Sequence, residues 1–443
     1  MVELRELSLG RRKDIIAALR NGAVPSHGLE QLAVGLEAFD KTLVDELTEC
    51  TTGRGRFKAV RGEYGTGKTF FSRYMMSRAL QQGMAVSLVQ VSEVDTPLYK
   101  LETVYRRAME HLATKEWDRG TFRQLVERWF FDLEEEVLSE DESLGEDPKK
   151  LHNAVSQLLE SRLAEVARDQ PQFSMALRAA HEARLNDDAA TFDGLIGWLM
   201  GQPQISSAVK RKAGLKSDLD HTGALAFLRG LLILLKQTGR PGMLLVLDEV
   251  ETIQRVRSDS REKSLNALRQ LIDAVADGSY PGLYLLITGT PQFFDGPQGV
   301  KRLQPLAMRL ATEFSSDPKF DNPRSPQIRL HPFNVDKLTE VGIRVRDLFP
   351  ADEAKRVQKK VTDEVIQAFA KKVAGKFGGQ VGMAPRIYLK KLVDLIDKVD
   401  LFPDFDPVKD YKLQVSDADG LTPEEAQAAN IERSAADIVL DLE

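Results

Sequence analysis

The sequence predicts an α/β fold: a parallel five-stranded sheet covered by helices, interrupted by a helical insertion and followed by a small helical lid. Three observations predict it. Short, almost wholly apolar runs recur between segments of helical periodicity, as strands buried on both faces of a parallel sheet require. One of these runs, Phe57 to Arg61, leads into a glycine-rich turn and then a helical pattern. Another, Met243 to Leu247, stops at two adjacent acids, Asp248 and Glu249. Strands that alternate with helices through right-handed crossovers give a sheet with both faces covered.

Taken in order, Arg11 to Arg20 reads as a helix that Gly22-Ala23-Val24-Pro25 stops, and Leu36 to Leu47 as a second helix. The first strand, Phe57 to Arg61, precedes the glycine turn and a helix from Lys68 to about Gln81. Met84 to Val91 is the second strand and Met243 to Leu247 the third. Leu283 to Ile287 is the fourth, ending at Thr288-Gly289-Thr290, and Gln327 to Leu330 the fifth. The stretch 92–242 is far longer than the dozen or so residues a crossover needs, so a helical insertion is expected from about 115 to 222. Its amphipathic patterns include Leu125 to Phe130, Leu158 to Leu163 and Phe192 to Met200. After His331-Pro332-Phe333 the pattern is helical to Val399. The domain organisation expected is a helical N-terminal segment (1–52), the core (53–333), the lid (334–400) and an acidic tail (401–443). Within the tail, Thr422-Pro423-Glu424-Glu425 has the form of a capping box, and a terminal docking helix bearing Ala429, Ala436, Val439 and Leu440 is expected.

Composition narrows the function classes. The longest apolar stretch, Leu225 to Leu235, contains Arg229 and is too short to span a bilayer. Glu3 and the absence of an early apolar run give the expectation of a cytoplasmic protein with no membrane association. A single cysteine, Cys50, excludes an internal disulfide and reads as an inert thiol, and six scattered histidines give no zinc spacing. The net charge of −6 is uneven: residues 401–443 hold eleven acids against three bases, and a second acidic block runs from Asp132 to Asp147. Basic surface is therefore concentrated elsewhere, most visibly at Lys210, Arg211, Lys212 and Lys216 in the insertion, which makes DNA a candidate partner.

Two motifs carry chemistry. Gly62-Glu63-Tyr64-Gly65-Thr66-Gly67-Lys68-Thr69 follows a strand and opens a helix. Glycines let backbone N–H groups turn inward around phosphate oxygens, and the helix presents the positive end of its dipole. Lys68 suits the β and γ phosphates of ATP, and the Thr69 hydroxyl suits Mg²⁺. The whole loop, with Phe70 after it, is read as the nucleotide-binding segment. At the carboxyl end of the third strand, where open α/β sheets bind ligands, Asp248 is the second magnesium-binding residue. Glu249 is the residue that polarises an attacking water, with Glu251 as the alternative. Thr288 and Thr290 end the next strand, where a polar group can hold that water or sense the γ phosphate. Arg309, or alternatively Arg302, is the candidate finger reaching a neighbouring subunit's nucleotide, which implies a homo-oligomer. Arg386 is the candidate arginine of the lid.

This ordered set resembles the AAA+ P-loop NTPases, and Ile328-Arg329-Leu330-His331-Pro332-Phe333 with Gly382-Met383-Ala384-Pro385-Arg386 is similar to the origin-recognition and Cdc-type initiators. A narrower resemblance lies in Arg11 to Pro25, Val60 to Phe70, Val246-Leu247-Asp248-Glu249-Val250-Glu251 and Leu286-Ile287-Thr288-Gly289-Thr290-Pro291. These look like the BrxD-type ATP-binding proteins of bacterial BREX phage-defence systems. The resemblance implies an ATPase encoded with methyltransferase and helicase components, and it places Val24 and Pro25 near the adenine. The initiators carry a winged-helix domain after the lid, for which the residues after Asp400 are too few, so DNA reading by that route is not expected. Two functions compete: an ATP-hydrolysing component acting with DNA or DNA-processing partners, and a nucleotide-gated scaffold with little turnover that recruits a methyltransferase or helicase.

Overall fold

The computed structural model describes residues 7–118, 120–376 and 384–413. Its five strands are β1 (Arg56–Arg61), β2 (Ala85–Gln90), β3 (Met243–Asp248), β4 (Leu283–Gly289) and β5 (Gln327–Arg329). They form one sheet in the order β2-β3-β4-β1-β5. β2, β3 and β4 run parallel, with Gln90 opposite Asp248 and Leu247 opposite Ile287. Every residue of β3 and β4 is buried, which is why these two central strands read as unbroken apolar runs. The α/β sheet expected from the sequence is the one the chain forms, and each expected strand lies within a residue or two of its place.

The chain divides into two compact units. Of the described residues, one unit comprises those within 41–60 and 75–328 and holds most of the sheet and the insertion; the other comprises those within 1–40, 61–74 and 329–413. The helix Lys68–Gln81 contributes its first half to the latter and its second half to the former.

The helix Glu37–Thr51, most of it in the sheet-bearing unit, runs one turn beyond the expected end and stops before Gly53, whose φ of 93° only glycine adopts readily. Lys58 on β1 is 1% exposed. Its ammonium donates to Glu46 (2.8 Å) and to the carbonyls of Pro323 and Ser325 (each 2.9 Å). Tyr284 of β4 donates to the same Glu46 carboxylate at 2.6 Å. A buried cation is thus matched to a carboxylate and two carbonyls, the condition under which burying charge is tolerated. Cys50 lies beside this network and is fully buried; desolvation, helped by the charge of Glu46, pushes its thiol up to about 12. It is inert as a nucleophile.

The insertion is helical. Its long helices are Thr121–Glu140, Pro148–Asp169, Pro171–Leu185, Ala189–Leu199 and His221–Gln237. Asp147, Asp188 and Asp220 cap three of them, accepting from Lys149 N (3.1 Å), Thr191 N (3.1 Å) and Gly223 N (2.7 Å). Phe227 centres an aromatic cluster, with Phe173, Trp198 and Tyr105 packed on it at 5.2, 5.1 and 5.9 Å between ring centroids. A side chain at Gly230 would meet the Phe173 ring at 3.1 Å, so the helix approaches this cluster only because that position is bare.

In the other unit, the helix Leu9–Arg20 packs with Val335–Leu348, Asp363–Lys376 and Ala384–Leu401 around Ile15, Ile16, Val345, Tyr388, Leu392 and Ile396. Ser8 accepts from Arg11 N, which starts the first helix earlier than its periodicity suggests. Arg12 donates to the carbonyls of Leu348 (2.8 Å) and Phe349 (2.9 Å), satisfying the end of a helix 336 residues away in sequence. Arg20 grips Asp397 with two hydrogen bonds of 2.8 and 2.7 Å. The expected tail helix, Gly382 and Met383 lie outside the described residues.

Candidate nucleotide site

The phosphate loop is built from β1 outward. Gly65 and Gly67 have φ values of 77° and 95°, which turn successive backbone N–H groups to one side. Gly62 is constrained by space: a Cβ there would lie 2.4 Å from Thr66 Oγ1 and 3.4 Å from Leu330 Cβ. The loop braces itself through one carbonyl. Glu63 O accepts from Thr66 N (3.2 Å), Thr66 Oγ1 (2.8 Å) and Lys68 Nζ (3.3 Å). Lys68, 8% exposed, also donates to Gly62 O at 2.9 Å, and its Nζ lies 5.0 Å from the Tyr64 ring centroid. Its charge is therefore held inside the curve of the loop, where a polyphosphate's oxygens would displace two weak carbonyl acceptors.

Other expected residues share this unit. Val24 O accepts from Arg73 Nη1 at 2.5 Å, and Pro25 is buried, so the 24–25 turn is tied to the helix that the phosphate loop opens. Thr69 and Phe70 begin that helix, half-buried. Arg386 is exposed near the start of Ala384–Leu401, with its Cγ 3.6 Å from where a Gly22 side chain would begin.

The acid pair lies in the sheet-bearing unit. Asp248 is 3% exposed, and Thr288, fully buried on β4, donates its hydroxyl to Asp248 Oδ1. The same Thr288 oxygen accepts from Glu249 N at 3.2 Å. Glu249 has φ 60° and ψ 43°, a left-handed conformation that costs a non-glycine residue roughly 1–2 kcal/mol. Its carbonyl accepts from Thr252 Oγ1 at 2.9 Å, and its half-buried carboxylate accepts from Gln90 Nε2 at 2.9 Å. Such strain persists only where the surroundings fix it, and it clusters at active sites, although Asp187 and Gln204 share it here. Glu251 is 4% exposed. Thr290 is buried and precedes the short helix Pro291–Asp295, and its side chain makes no hydrogen bond among the described residues.

Sequence reasoning missed Gln90. The signal was present as an amide closing a mostly apolar strand, but its partner is 159 residues distant. Arg309 is not free: it pairs with Asp273, which also holds Arg269 at 2.8 Å, and it donates to Pro305 O at 2.9 Å. Arg302 donates to Ser258 Oγ at 3.4 Å. In the insertion, Lys210 is paired with Asp218 at 2.9 Å and Lys212 with Asp188 at 2.6 Å, so half of the basic cluster prominent in the sequence is neutralised.

Thr69 carries a hydroxyl and Asp248 a carboxylate, each an oxygen donor of the hard kind that magnesium takes. A sheet of this order, with a phosphate loop after β1 and an acid pair after β3, defines a P-loop nucleotide-binding fold of the AAA+ kind. The chain belongs to the family described as BREX system ATP-binding protein BrxC/D, whose match runs over residues 8–415. It is thus an ATP-binding protein of a BREX defence system. Among solved structures it is similar to the Aeropyrum pernix Orc1 protein in complex with DNA, at 12% identity and a TM-score of 0.33. That alignment covers 90% of this chain and 66% of the other, a little under two thirds of its length. No curated protein matches the sequence. No helix among the described residues is long and apolar enough to cross a membrane.

Proposed function

We propose that the chain hydrolyses the ATP it binds, with Mg²⁺, and that Glu249 positions and polarises the attacking water. The observation that carries this reading is the treatment of the two adjacent acids. Asp248 is buried and held by Thr288, whereas Glu249 is held half-buried in a strained backbone with its carboxylate aimed by Gln90. Binding alone needs no second, separately aimed carboxylate. In this reading Lys68 and the loop amides hold the β and γ phosphates, Val24 and Pro25 border the adenine, and Tyr64 and Phe70 flank the loop. Thr69 and Asp248 hold the magnesium, which supplies positive charge against the phosphates. Glu249 takes the proton of the water as the oxygen attacks the γ phosphorus and ADP leaves. Thr288 fixes Asp248, Thr290 lies beside it on the same strand end, and Arg386 serves from the lid.

The segment divisions 1–52, 53–333, 334–400 and 401–443 give each of these roles its element. Arg309 is the finger for a neighbouring copy, which makes the active unit a homo-oligomer; its pairing with Asp273 must then open on assembly. DNA and DNA-processing partners such as a methyltransferase or helicase are the remaining components of the reading. The direct test is phosphate release with magnesium and with chelator, for wild type and Lys68→Ala. Wild type should turn over only with magnesium, and the variant should fail to bind ATP, having lost the one cation inside the loop. Normal ATP affinity in Lys68→Ala would contradict the assignment.

A further inference from the structure

The conspicuous basic run of the insertion is half ion-paired, but another set of cations, scattered in sequence, is gathered by the fold. Two segments leave the carboxyl ends of β3 and β4. The first is the segment 254–257 ahead of the helix Ser258–Ala276; the second is the segment 296–303, with a short 3-10 helix at Val300–Arg302, ahead of Gln304–Arg309. They are locked together. Arg261 donates to the carbonyls of Gln254 (2.8 Å) and Val256 (2.9 Å) and reaches across to Gln298, while Arg302 donates to Ser258 Oγ at 3.4 Å. This puts the segment that carries Lys301 and Arg302 against the one that carries Arg257, next to Ser258, and all three cations are exposed. None of the three has a carboxylate within salt-bridge distance among the described residues. Arg255, half-buried, adds a fourth cation two residues upstream.

On the helix that follows, Asp259 and Glu262 line, with Lys263, Asn266, Tyr99 and His221, a cavity of about 510 Å³. Glu262 lies one turn after Ser258 and so borders the patch, but neither acid is ion-paired with Arg257, Lys301 or Arg302 among the described residues. On the β4 side, the nearest acid in the chain is Asp295, before Gly296.

We infer that Arg257, Lys301 and Arg302 form a surface that grips the phosphodiester backbone of a nucleic acid. The patch is open, with its cations on two separate segments, which suits several phosphates spaced along a polymer and not one small anion. Two of the three are arginines, whose planar fork pairs with phosphate oxygens, and their scaffold is held rigid by Arg261. Contacts of this kind position without reading sequence. The inference adds a surface to the reading above and does not depend on hydrolysis.

The test is binding of a labelled duplex of mixed sequence, followed by anisotropy across salt concentrations, with single-stranded DNA and RNA of the same length as separate arms. Three phosphate contacts give a log–log salt slope of about −2.7, or roughly a fortyfold loss between ~50 and ~200 mM salt. Arg257→Gln/Lys301→Gln/Arg302→Gln should lose at least tenfold in affinity and flatten the slope by about 0.9 per contact removed. Lys210→Ala/Arg211→Ala/Lys212→Ala/Lys216→Ala should bind as wild type does. The arm bound most tightly identifies the nucleic acid. ATP affinity reports that the variants are folded; should the triple variant fail to fold, Lys301→Gln alone should still flatten the slope by about one contact. The inference is overturned if the wild type binds none of the three nucleic acids, if the triple variant binds unchanged, or if an acidic peptide of equal charge binds as tightly.

Discussion

Replacing Thr288 by valine keeps the shape of the side chain and removes one oxygen, and that oxygen makes two bonds in a place with no water to replace them. Thr288 is fully buried, donating to the carboxylate of Asp248, itself 3% exposed, and accepting from Glu249 N. A hydrogen bond to a charged group contributes about 1.5–3 kcal/mol, and an amide left without an acceptor costs about 1 kcal/mol or more. Thr288→Val should therefore lose about 3 kcal/mol, on the order of a hundredfold in the folding equilibrium. Urea unfolding followed by tryptophan fluorescence measures it. Thr290→Val is the control, because Thr290 is also buried but its hydroxyl makes no hydrogen bond among the described residues; it should cost under about 1 kcal/mol. Thr288→Ser should recover most of the loss. A Thr288→Val protein within about 0.5 kcal/mol of wild type would refute the reasoning, because the bridge would then contribute nothing net.

Arg309→Ala should bind ATP normally and lose most turnover, a finger being worth ~10³-fold or more in rate, and mixing it with Lys68→Ala should restore part of the activity at shared interfaces. Full turnover by Arg309→Ala, read as phosphate release, would remove the finger. His181 gives a pH signature. Burial, with smaller contributions from Arg184 and His152, pushes its imidazole down to about 4 from 6.5. The unfolded chain then binds the proton first, so stability is level above about pH 7 and falls as pH drops from 6.5 towards 4, by about 2.5 kcal/mol near pH 4.5. His181→Phe should show correspondingly less acid destabilisation in urea titrations at the two pH values, and an unchanged difference would show that His181 does not carry it.

Much of the fold was legible because its constraints are local or periodic. β3 and β4 are buried on both faces, which forces apolar runs, and the phosphate loop needs glycine at Gly65 and Gly67 for their positive φ and at Gly62 for space. The helix starts at Asp147-Pro148 and Asp188 rest on capping that needs no tertiary context, a local signal that the sequence reading did not use. The partners were not legible. Thr288 bridges Asp248 and Glu249 only because β4 lies beside β3 in a given register, and Gln90 reaches Glu249 across β2 and β3 for the same reason. Sequence shows which charges exist but not which are matched. Lys210 and Lys212 looked like free basic surface until Asp218 and Asp188 were placed beside them, and Arg309 looked free until Asp273 was. The left-handed backbone of Glu249 carried no signal at all, since glutamate is not a residue that favours it.

The account rests most heavily on Glu249 as the residue that activates water, and steady-state phosphate release by Glu249→Gln, measured beside its ATP affinity, tests that most directly. The amide keeps the size of the side chain and leaves Asp248, Thr69 and Lys68 in place, so ATP should bind as tightly as to wild type. An amide cannot take the proton, however, and turnover should fall by about 10²-fold or more. Turnover at the wild-type rate with unchanged ATP affinity would contradict the account and move the role to Glu251, the buried acid two residues on.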